Sequence, residues 1–282
     1  MKESEKNMIY IGYLGPKGTF TEQVALSYFK DKKDYKFIPF PTIQDLLLAA
    51  DKQDITRGVV PIENSIEGAV NTTVDMLTFE VDLKIQAEMI IPIGHNLIGH
   101  KSFKLEDIKE VLSHPQAIAQ CRNYLHGKIP GANVVFTSST AEAVREVSST
   151  VGPRVAIGTV LAANNYGLDI LDSDIQDQKQ NETRFVIIGK ESMQRGKSCK
   201  TTLVFSTGNK PGELYRVLNI FSLWDINMTK ILSRPSKNKL GEYVFFIEVE
   251  GHVEEEDLKD ALIMIRKKTS FFKLLGSYEV FE

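Results

Sequence analysis

The chain of 282 residues is short of several things, and each shortage closes off a class of function. It has two cysteines, Cys121 and Cys199, far apart and without a CxxC pair. That excludes a disulfide scaffold and fits a reducing cytoplasm. Its five histidines, at 95, 100, 114, 126 and 252, form no HxH or HxxxH pair. No metal site is therefore expected, and nothing calls for a cofactor. No apolar run approaches the roughly 20 residues that span a bilayer. The first residues, Met1 to Asn7, are polar and lack the apolar core of a secretion signal. A net charge of −3 gives no bulk attraction to nucleic acid or to anionic membranes. GxxxxGK[ST] and GxGxxG are both absent, and Gly15-Pro16-Lys17-Gly18 is not a phosphate loop. No GxSxG elbow occurs. Ser65 has no nearby histidine in sequence, and Cys121 sits on an apolar helical face, so nucleophilic catalysis has little support.

What is present is an ordinary globular composition, 42% hydrophobic and 25% charged, at a length that suits two domains. From residue 8 the pattern alternates strand and helix. Strands at 8–14, 37–40 and 57–62 are followed by helical spacing at 20–29, from 42, and at 69–77. This series favours an α/β sheet of parallel strands. The segment 85–97 is extended and leads to a second lobe. There, strands ending at Ser113, Phe136 and Gly158 precede helices at 115–125, 141–147 and 160–164. Strand 185–189 closes the series. Two such lobes place a ligand in the cleft between them.

Residues 191–199 lose apolar periodicity and read as a linker. From 200 to 282 the order is βαββαβ, the ferredoxin-like plait. Thr19 with Glu22, Ser113 with Gln116, and Ser139 with Glu142 have capping-box spacing at strand-to-helix turns. Each box alone only starts a helix. Several helix N-termini facing one cleft would suit a small polyanion such as a dicarboxylate.

Five ordered motifs carry a resemblance. They are Gly15-Pro16-Lys17-Gly18-Thr19-Phe20-Thr21, Pro61-Ile62-Glu63-Asn64-Ser65 with Gly68, Ser113-His114-Pro115-Gln116-Ala117 through Gln120-Cys121, Ser139-Thr140-Ala141, and Asn181-Glu182-Thr183-Arg184-Phe185. Together they resemble the prephenate dehydratase family over nearly the whole chain. The resemblance implies an α/β fold with a two-lobed, periplasmic-binding-protein-like catalytic domain (8–190) and an interlobe cleft. A linker (191–199) and a ferredoxin-like ACT regulatory domain (200–282) follow. It implies a cytoplasmic enzyme of phenylalanine biosynthesis that turns prephenate into phenylpyruvate, CO2 and water, without metal or cofactor.

The resemblance also implies roles. Thr183 would be the catalytic residue, donating a proton or hydrogen bond to the departing C4 hydroxyl. Glu63, Asn64, Ser113 and Gln120 would line the cleft and hold the substrate, and Arg184 and Phe185 would shape the site. In an extended strand, Thr183 and Phe185 share a face and Arg184 points the other way. Arg184 then reaches the substrate only if the strand bends, and otherwise forms a salt bridge behind the site. Phe185 is sheet core on the alternative reading.

Gly212-Glu213-Leu214-Tyr215 and Asn227-Met228-Thr229-Lys230-Ile231-Leu232-Ser233-Arg234-Pro235 resemble the two effector segments of ACT domains. Phenylalanine would bind near Gly212, Glu213, Leu214, Asn227, Met228, Ser233 and Arg234, where two chains meet, so a homodimer or homotetramer is expected. Leu232 stands where the motif has glutamate, which retunes the effector site or its coupling. An ACT domain that only dimerises is the other reading. A two-lobed binding module without catalysis and an arogenate dehydratase are the alternatives for the chain as a whole.

Overall fold

The computed structural model describes residues 8–30, 34–237 and 239–281; the polar start of the chain at 1–7 lies outside them. The chain divides into two compact units. One comprises Met1–Leu46, Glu63–Gly68 and Ile91–Thr183, the other Leu47–Ile62, Ala69–Ile90 and Arg184–Glu282.

In the first unit, strand β1 (Ile9–Leu14) pairs in parallel with β2 (Tyr35–Phe40). Helix α1 (Phe20–Tyr28) lies between them in sequence. The Thr19 hydroxyl caps it by accepting from the Glu22 N–H at 3.2 Å. The Glu22 carboxylate reaches past the capping residue, accepting from the Gly18 N–H at 2.6 Å and the Tyr13 hydroxyl at 2.9 Å. Helix α2 (Ile43–Asp51), strand β3 (Arg57–Asn64), the short strand β4 (Gly68–Ala69) and helix α3 (Asn71–Asp75) follow in the chain, which here passes largely into the second unit. The predicted single helix at 69–77 is thus a short strand, α3, and a wider turn over Met76–Glu80. Next comes β5 (Lys84–Pro92).

A second sheet belongs wholly to the first unit. It is built from β6 (Asn96–Gly99), β7 (Glu110–Ser113), β8 (Asn133–Phe136), β9 (Arg154–Gly158) and β10 (Asp169–Asp172). Their order is β10-β6-β9-β7-β8. Helices α4 (Pro115–Gln120), α5 (Arg122–Lys128), α6 (Thr140–Ser148) and α7 (Val160–Tyr166) connect the strands. Strand alternation sorts the core. Leu97, Val111, Val155 and Ile157 pack with Cys121 and Leu125, while Ile98, Leu112 and Ala156 pack with Val144, Val147 and Ala162. The sheet is mixed, not all parallel: β6 runs antiparallel to β9 and β10. β10 escapes the sequence pattern because Asp-Ile-Leu-Asp is short and half-buried throughout. The helix predicted at 115–125 breaks at Cys121, whose backbone leaves the helical region at φ −114° and ψ 17°.

The second unit is dominated by one sheet. Its remaining strands are β11 (Glu182–Gly189), β12 (Cys199–Ser206), β13 (Met228–Pro235), β14 (Tyr243–Glu250) and β15 (Phe271–Phe281). The order is β13-β14-β12-β15-β5-β11-β3. Helices α8 (Glu213–Leu223) and α9 (Glu256–Lys268) complete the βαββαβ order. They pack Val217, Ile220, Phe221, Leu258, Ala261 and Ile265 on Leu203, Phe205, Ile247 and Val249. Strand β11 begins at Glu182, three residues before the predicted start. Strand β12 begins at Cys199, so the end of the expected linker is already sheet. β15 is antiparallel to β12 from Phe271 to Glu279 and runs parallel to β5 over Glu279–Phe281. Its register with β12 shifts beside Gly276, at φ 151°, where an added Cβ would strike the Ile85 carbonyl oxygen.

Charged residues are buried in this sheet. Glu88 on β5 and Glu248 on β14 are 0% and 1% exposed. Arg184 on β11 bridges them, donating to Glu88 Oε2 and, at 2.7 Å, to Glu248 Oε2. Lys200 on β12 donates to Glu88 Oε1 at 2.8 Å. Tyr278 on β15, fully buried, shares a hydrogen bond with Thr202 at 2.7 Å. Burial works against the charge on Arg184, but Glu248 and Glu88 outweigh it and hold the guanidinium above its ordinary value. Burial pushes Glu248 above the usual carboxyl range, with Arg184 and Lys230 opposing.

A carboxylate raised in the folded state costs stability wherever it is ionised, and the cost is relieved as pH falls through its folded pKa. Replacing Arg184 by Met takes from Glu248 and Glu88 the guanidinium they share and leaves Glu88 with Lys200. The variant is expected to lose about 3 kcal/mol at neutral pH. The deficit should narrow on mild acidification, as Glu248 takes up a proton. Urea denaturation at two pH values reads this; wild-type stability, or a deficit that widens in acid, would show that the guanidinium does not hold these carboxylates.

Candidate active site

A connected polar cluster of the first unit gathers where β3 ends and β11 begins. Asn64, the last residue of β3, is 9% exposed, and Thr183, the second residue of β11, is 8% exposed. The Asn64 Oδ1 accepts from the backbone N–H groups of Ile66 and Glu67, both at 3.0 Å. A backbone N–H can only donate, so this pair fixes which end of the amide is oxygen. The Nδ2 end then faces three acceptors: Asn181 Oδ1 at 2.7 Å, Thr183 Oγ1 at 2.9 Å and the Glu182 carbonyl at 3.1 Å. The Ser65 N–H donates to that carbonyl at 2.9 Å, and the Glu182 N–H returns to Ser65 Oγ at 3.0 Å. The two chain segments are thereby clamped together.

The network continues inward. Asn181 Nδ2 donates to Gln120 Oε1 at 3.1 Å, and His95 Nε2 lies 2.8 Å from the same oxygen. Gln120 closes α4, and its backbone carbonyl accepts from Asp177 at 2.7 Å. The Ile93 N–H donates to the Asn181 carbonyl at 2.8 Å, which holds the 93–95 turn beside the strand entry. His95 is 3% exposed and stands edge-on to Phe20 at 6.1 Å. Burial lowers its pKa, against a smaller opposing effect of Gln120, so the ring is neutral.

The consequence for Thr183 is directional. Its oxygen accepts from Asn64, and among the described residues nothing accepts its proton. The hydroxyl is thus held with its O–H free to donate. Donation into the oxygen also polarises the O–H bond.

The sequence-derived candidates fall into different places. Thr183, Asn64 and Gln120 meet in this network. Asn64 has no capacity left for a ligand: both lone pairs of Oδ1 are used, and two Nδ2 protons serve three acceptors. Its hydrogen bonds are spent within the protein, on Thr183 and its neighbours. Glu63 is half-buried on the face of β3 opposite Asn64. Ser113 is fully buried and donates to the Ile157 carbonyl at 2.8 Å, tying β7 to β9. It does not cap α4; His114 does, through its ring nitrogen and the Gln116 N–H at 3.3 Å. Of the two readings of Arg184, the structure has the salt bridge. Phe185 is 2% exposed, in the sheet core. Cys121 is fully buried, and burial pushes its thiol up to about 12, with Asp177 adding to the shift.

Three contributors were not singled out from the sequence. Asn181 stands within the fifth motif, but no role was attached to its side chain. His95 counted only as one of the scattered histidines, although it interrupts the apolar run 85–97. Thr159 caps α7, accepting from the Ala162 N–H at 2.9 Å and donating to the Gly18 carbonyl at 2.6 Å. That bond joins the N-terminal end of α7 to the turn before α1, where Gly18 has φ +92° and an added Cβ would strike Ala162 at 2.7 Å.

In the second unit, Gly212 takes the left-handed conformation at φ 81° and starts α8. A pocket of about 340 Å³ opens there, with Gly212, Glu213 and Leu214 in its wall beside Asn209, Tyr215 and Tyr243. Asn227 lies in the turn before β13, and Met228, Ser233 and Arg234 lie on β13, outside this lining. Arg234 makes a two-pronged ion pair with Asp75, at 2.8 and 2.9 Å. Among the described residues no cluster of three or more His, Cys, Asp or Glu could hold a metal ion, and no helix is long and apolar enough to cross a membrane.

The comparisons with known proteins agree with one another. A family model described as prephenate dehydratase matches residues 11–193, and one described as ACT domain matches 201–263. A prephenate dehydratase from Methanocaldococcus jannaschii is 44% identical over 276 residues, covering 96% of this chain and 98% of that protein. A bifunctional chorismate mutase/prephenate dehydratase from Aquifex aeolicus is 42% identical over 275 residues, covering 98% of this chain and 75% of that protein. The crystal structure of prephenate dehydratase from Arthrobacter aurescens in complex with L-Phe superposes with a TM-score of 0.88 at 33% identity, covering 96% of this chain and 90% of that one. With two family models in order and relatives matched almost end to end, the chain belongs to the prephenate dehydratase family.

Proposed function

We propose that this chain catalyses the decarboxylating dehydration of prephenate to phenylpyruvate, CO2 and water, with Thr183 as the catalytic residue. The observation that carries the assignment is the Thr183 hydroxyl, oriented as an acceptor from Asn64 and left with its proton to give. In the reaction the ring carboxylate leaves as CO2 and its electron pair enters the ring. The ring expels the C4 oxygen, which departs as water with one proton taken up. Aromatisation supplies the driving force. The difficulty is the negative charge gathering on the departing oxygen.

Threonine is too weak an acid to protonate that oxygen outright. A preoriented hydrogen bond to the developing charge is within its reach and typically contributes about 3–4 kcal/mol. Gln120, whose buried Nε2 has no protein partner among the described residues, is assigned to a substrate oxygen. The catalytic domain is assigned to 8–190, the linker to 191–199 and the ACT domain to 200–282. L-phenylalanine is assigned as effector at the α8 pocket. The Arthrobacter relative with L-Phe bound supports this, and a site shared between two ACT domains requires at least a homodimer.

The purified protein is expected to convert prephenate to phenylpyruvate, followed by its absorbance in alkali. Thr183→Ala should lower turnover at least about a hundredfold with an unchanged melting curve. Thr183→Ser, which keeps the hydroxyl, should retain much of the rate. Near-wild-type turnover in the alanine variant removes Thr183 from the mechanism.

L-phenylalanine should bind in calorimetric titration and inhibit the reaction. Absence of binding up to millimolar concentration would defeat the regulatory assignment.

A further inference from the structure

The hydrogen-bond network around Thr183 contains more ordering than the hydroxyl itself needs. A primary amide can sit either way round, and the two ways offer opposite chemistry to a ligand. Asn64 has no such freedom, because two backbone N–H groups hold its oxygen. Its Nδ2 fixes Asn181 Oδ1 at 2.7 Å, and Asn181 Nδ2 reaches Gln120 Oε1 at 3.1 Å. By that point the polarity of Gln120 hangs on one long bond. His95 adds a second and shorter one, its Nε2 lying 2.8 Å from the same oxygen. A carboxamide oxygen can only accept, so the imidazole proton sits on Nε2.

The main chain that carries the ring is fixed before any ligand arrives. The backbone N–H of His95 donates to Gln176 Oε1 at 2.9 Å, and its backbone carbonyl accepts from the Ile175 N–H at 2.9 Å. Phe20 packs against the edge of the ring. At 3% exposure the imidazole has no route to solvent that would let it swing away. Gln120 Oε1 thus receives two donors from a rigid frame. Of the donors in this frame, Gln120 Nε2 is buried and without a partner among the described residues, as is the acceptor nitrogen His95 Nδ1.

We propose that His95 is a positioning residue for the dehydration: its Nε2–H locks the Gln120 carboxamide so that Nε2 stands as a fixed donor to an oxygen of the substrate. The proposal rests on the assignment of Gln120 to substrate binding. The physical reason is charge. Prephenate is a dianion at neutral pH. An inverted Gln120 amide would present its oxygen lone pairs to that anion, turning an attraction into a repulsion. With His95 removed, the amide is held by the 3.1 Å bond from Asn181 alone and can invert. His95 itself does not touch the reacting atoms. It acts through Gln120.

The test is a double-mutant cycle on the full chain, reading kcat/KM for prephenate alongside the melting temperature. His95→Leu is expected to lower kcat/KM at least about tenfold, the worth of one polar contact. In the Gln120→Leu background the same change should cost less than about twofold, because the group it positions is gone. His95→Gln, which can place an N–H where Nε2 was, should regain most of the loss. Full additivity of the two losses, or wild-type kcat/KM in His95→Leu, overturns the proposal. If Gln120→Leu alone leaves kcat/KM unchanged while the wild type turns prephenate over, the assignment of Gln120 falls and the proposal with it. Nitrogen-15 NMR of the histidine rings in the unmutated protein supplies a readout that does not depend on folding of the variants. His95 should show a neutral ring protonated at Nε2, and a ring protonated at Nδ1 alone overturns the proposal.

Discussion

The buried charge on Arg184 sets the terms for the strand that carries it. Two carboxylates, Glu88 and Glu248, lie in the interior of a sheet and cannot both be ionised there without cations at hand. β11 and β12 provide them as Arg184 and Lys200. A strand has only two faces, so an inward Arg184 forces Thr183 and Phe185 onto the other one. A slip of one residue in β11 would drive Thr183 into the carboxylates and the guanidinium out of them. The register of β11 at Thr183 is therefore held by electrostatics on its other face. The same cluster spans residues from both family-model matches, 11–193 and 201–263, within one continuous sheet.

The neighbouring network works by a different rule. Around Thr183, among the described residues, no charged side chain enters the hydrogen-bond chain; Asn64, Asn181, Gln120 and a neutral His95 make it up. Such a chain has no intrinsic direction, since every amide can be turned over. Direction comes from its end, where the Ile66 and Glu67 N–H groups meet Asn64 Oδ1. The turn after β3 is thus more than a connector. The polarity of side chains more than a hundred residues away in sequence is set by two backbone donors that cannot be reversed.

Much of this was legible in the sequence, and the parts that were not share a cause. The strand-helix alternation, the βαββαβ order and the strand over 185–189 follow from local periodicity. Alternation along residues 183–185 already separated Arg184 from its neighbours. What local pattern cannot give is the partner. Ser113 and Gln116 have capping-box spacing, yet the serine hydroxyl is taken by Ile157, 44 residues on, and His114 supplies the cap. Asn64 reads as a substrate ligand until the contacts that saturate its amide are known. His95 looks like a solitary histidine because its partner Gln120 is 25 residues away. Antiparallel β6 and the short β10 were missed because strand direction depends on connection length and pairing more than on composition.

The two arrangements complement each other across a single peptide bond. A reaction that gathers negative charge on a departing oxygen gains most from donors that are already aimed and need not reorganise. A cation aimed at Thr183 would bind the dianionic substrate strongly before reaction as well as during it, and such uniform binding does not speed the chemical step. Neutral amides are cheaper to bury than ions and keep their orientation by geometry alone. Placing the guanidinium on the opposite face of β11 keeps its charge out of the hydroxyl's hydrogen bonds while using it to fix the strand. Strand alternation is what allows a strongly charged anchor and a neutral, preoriented donor to occupy consecutive residues without compromising each other.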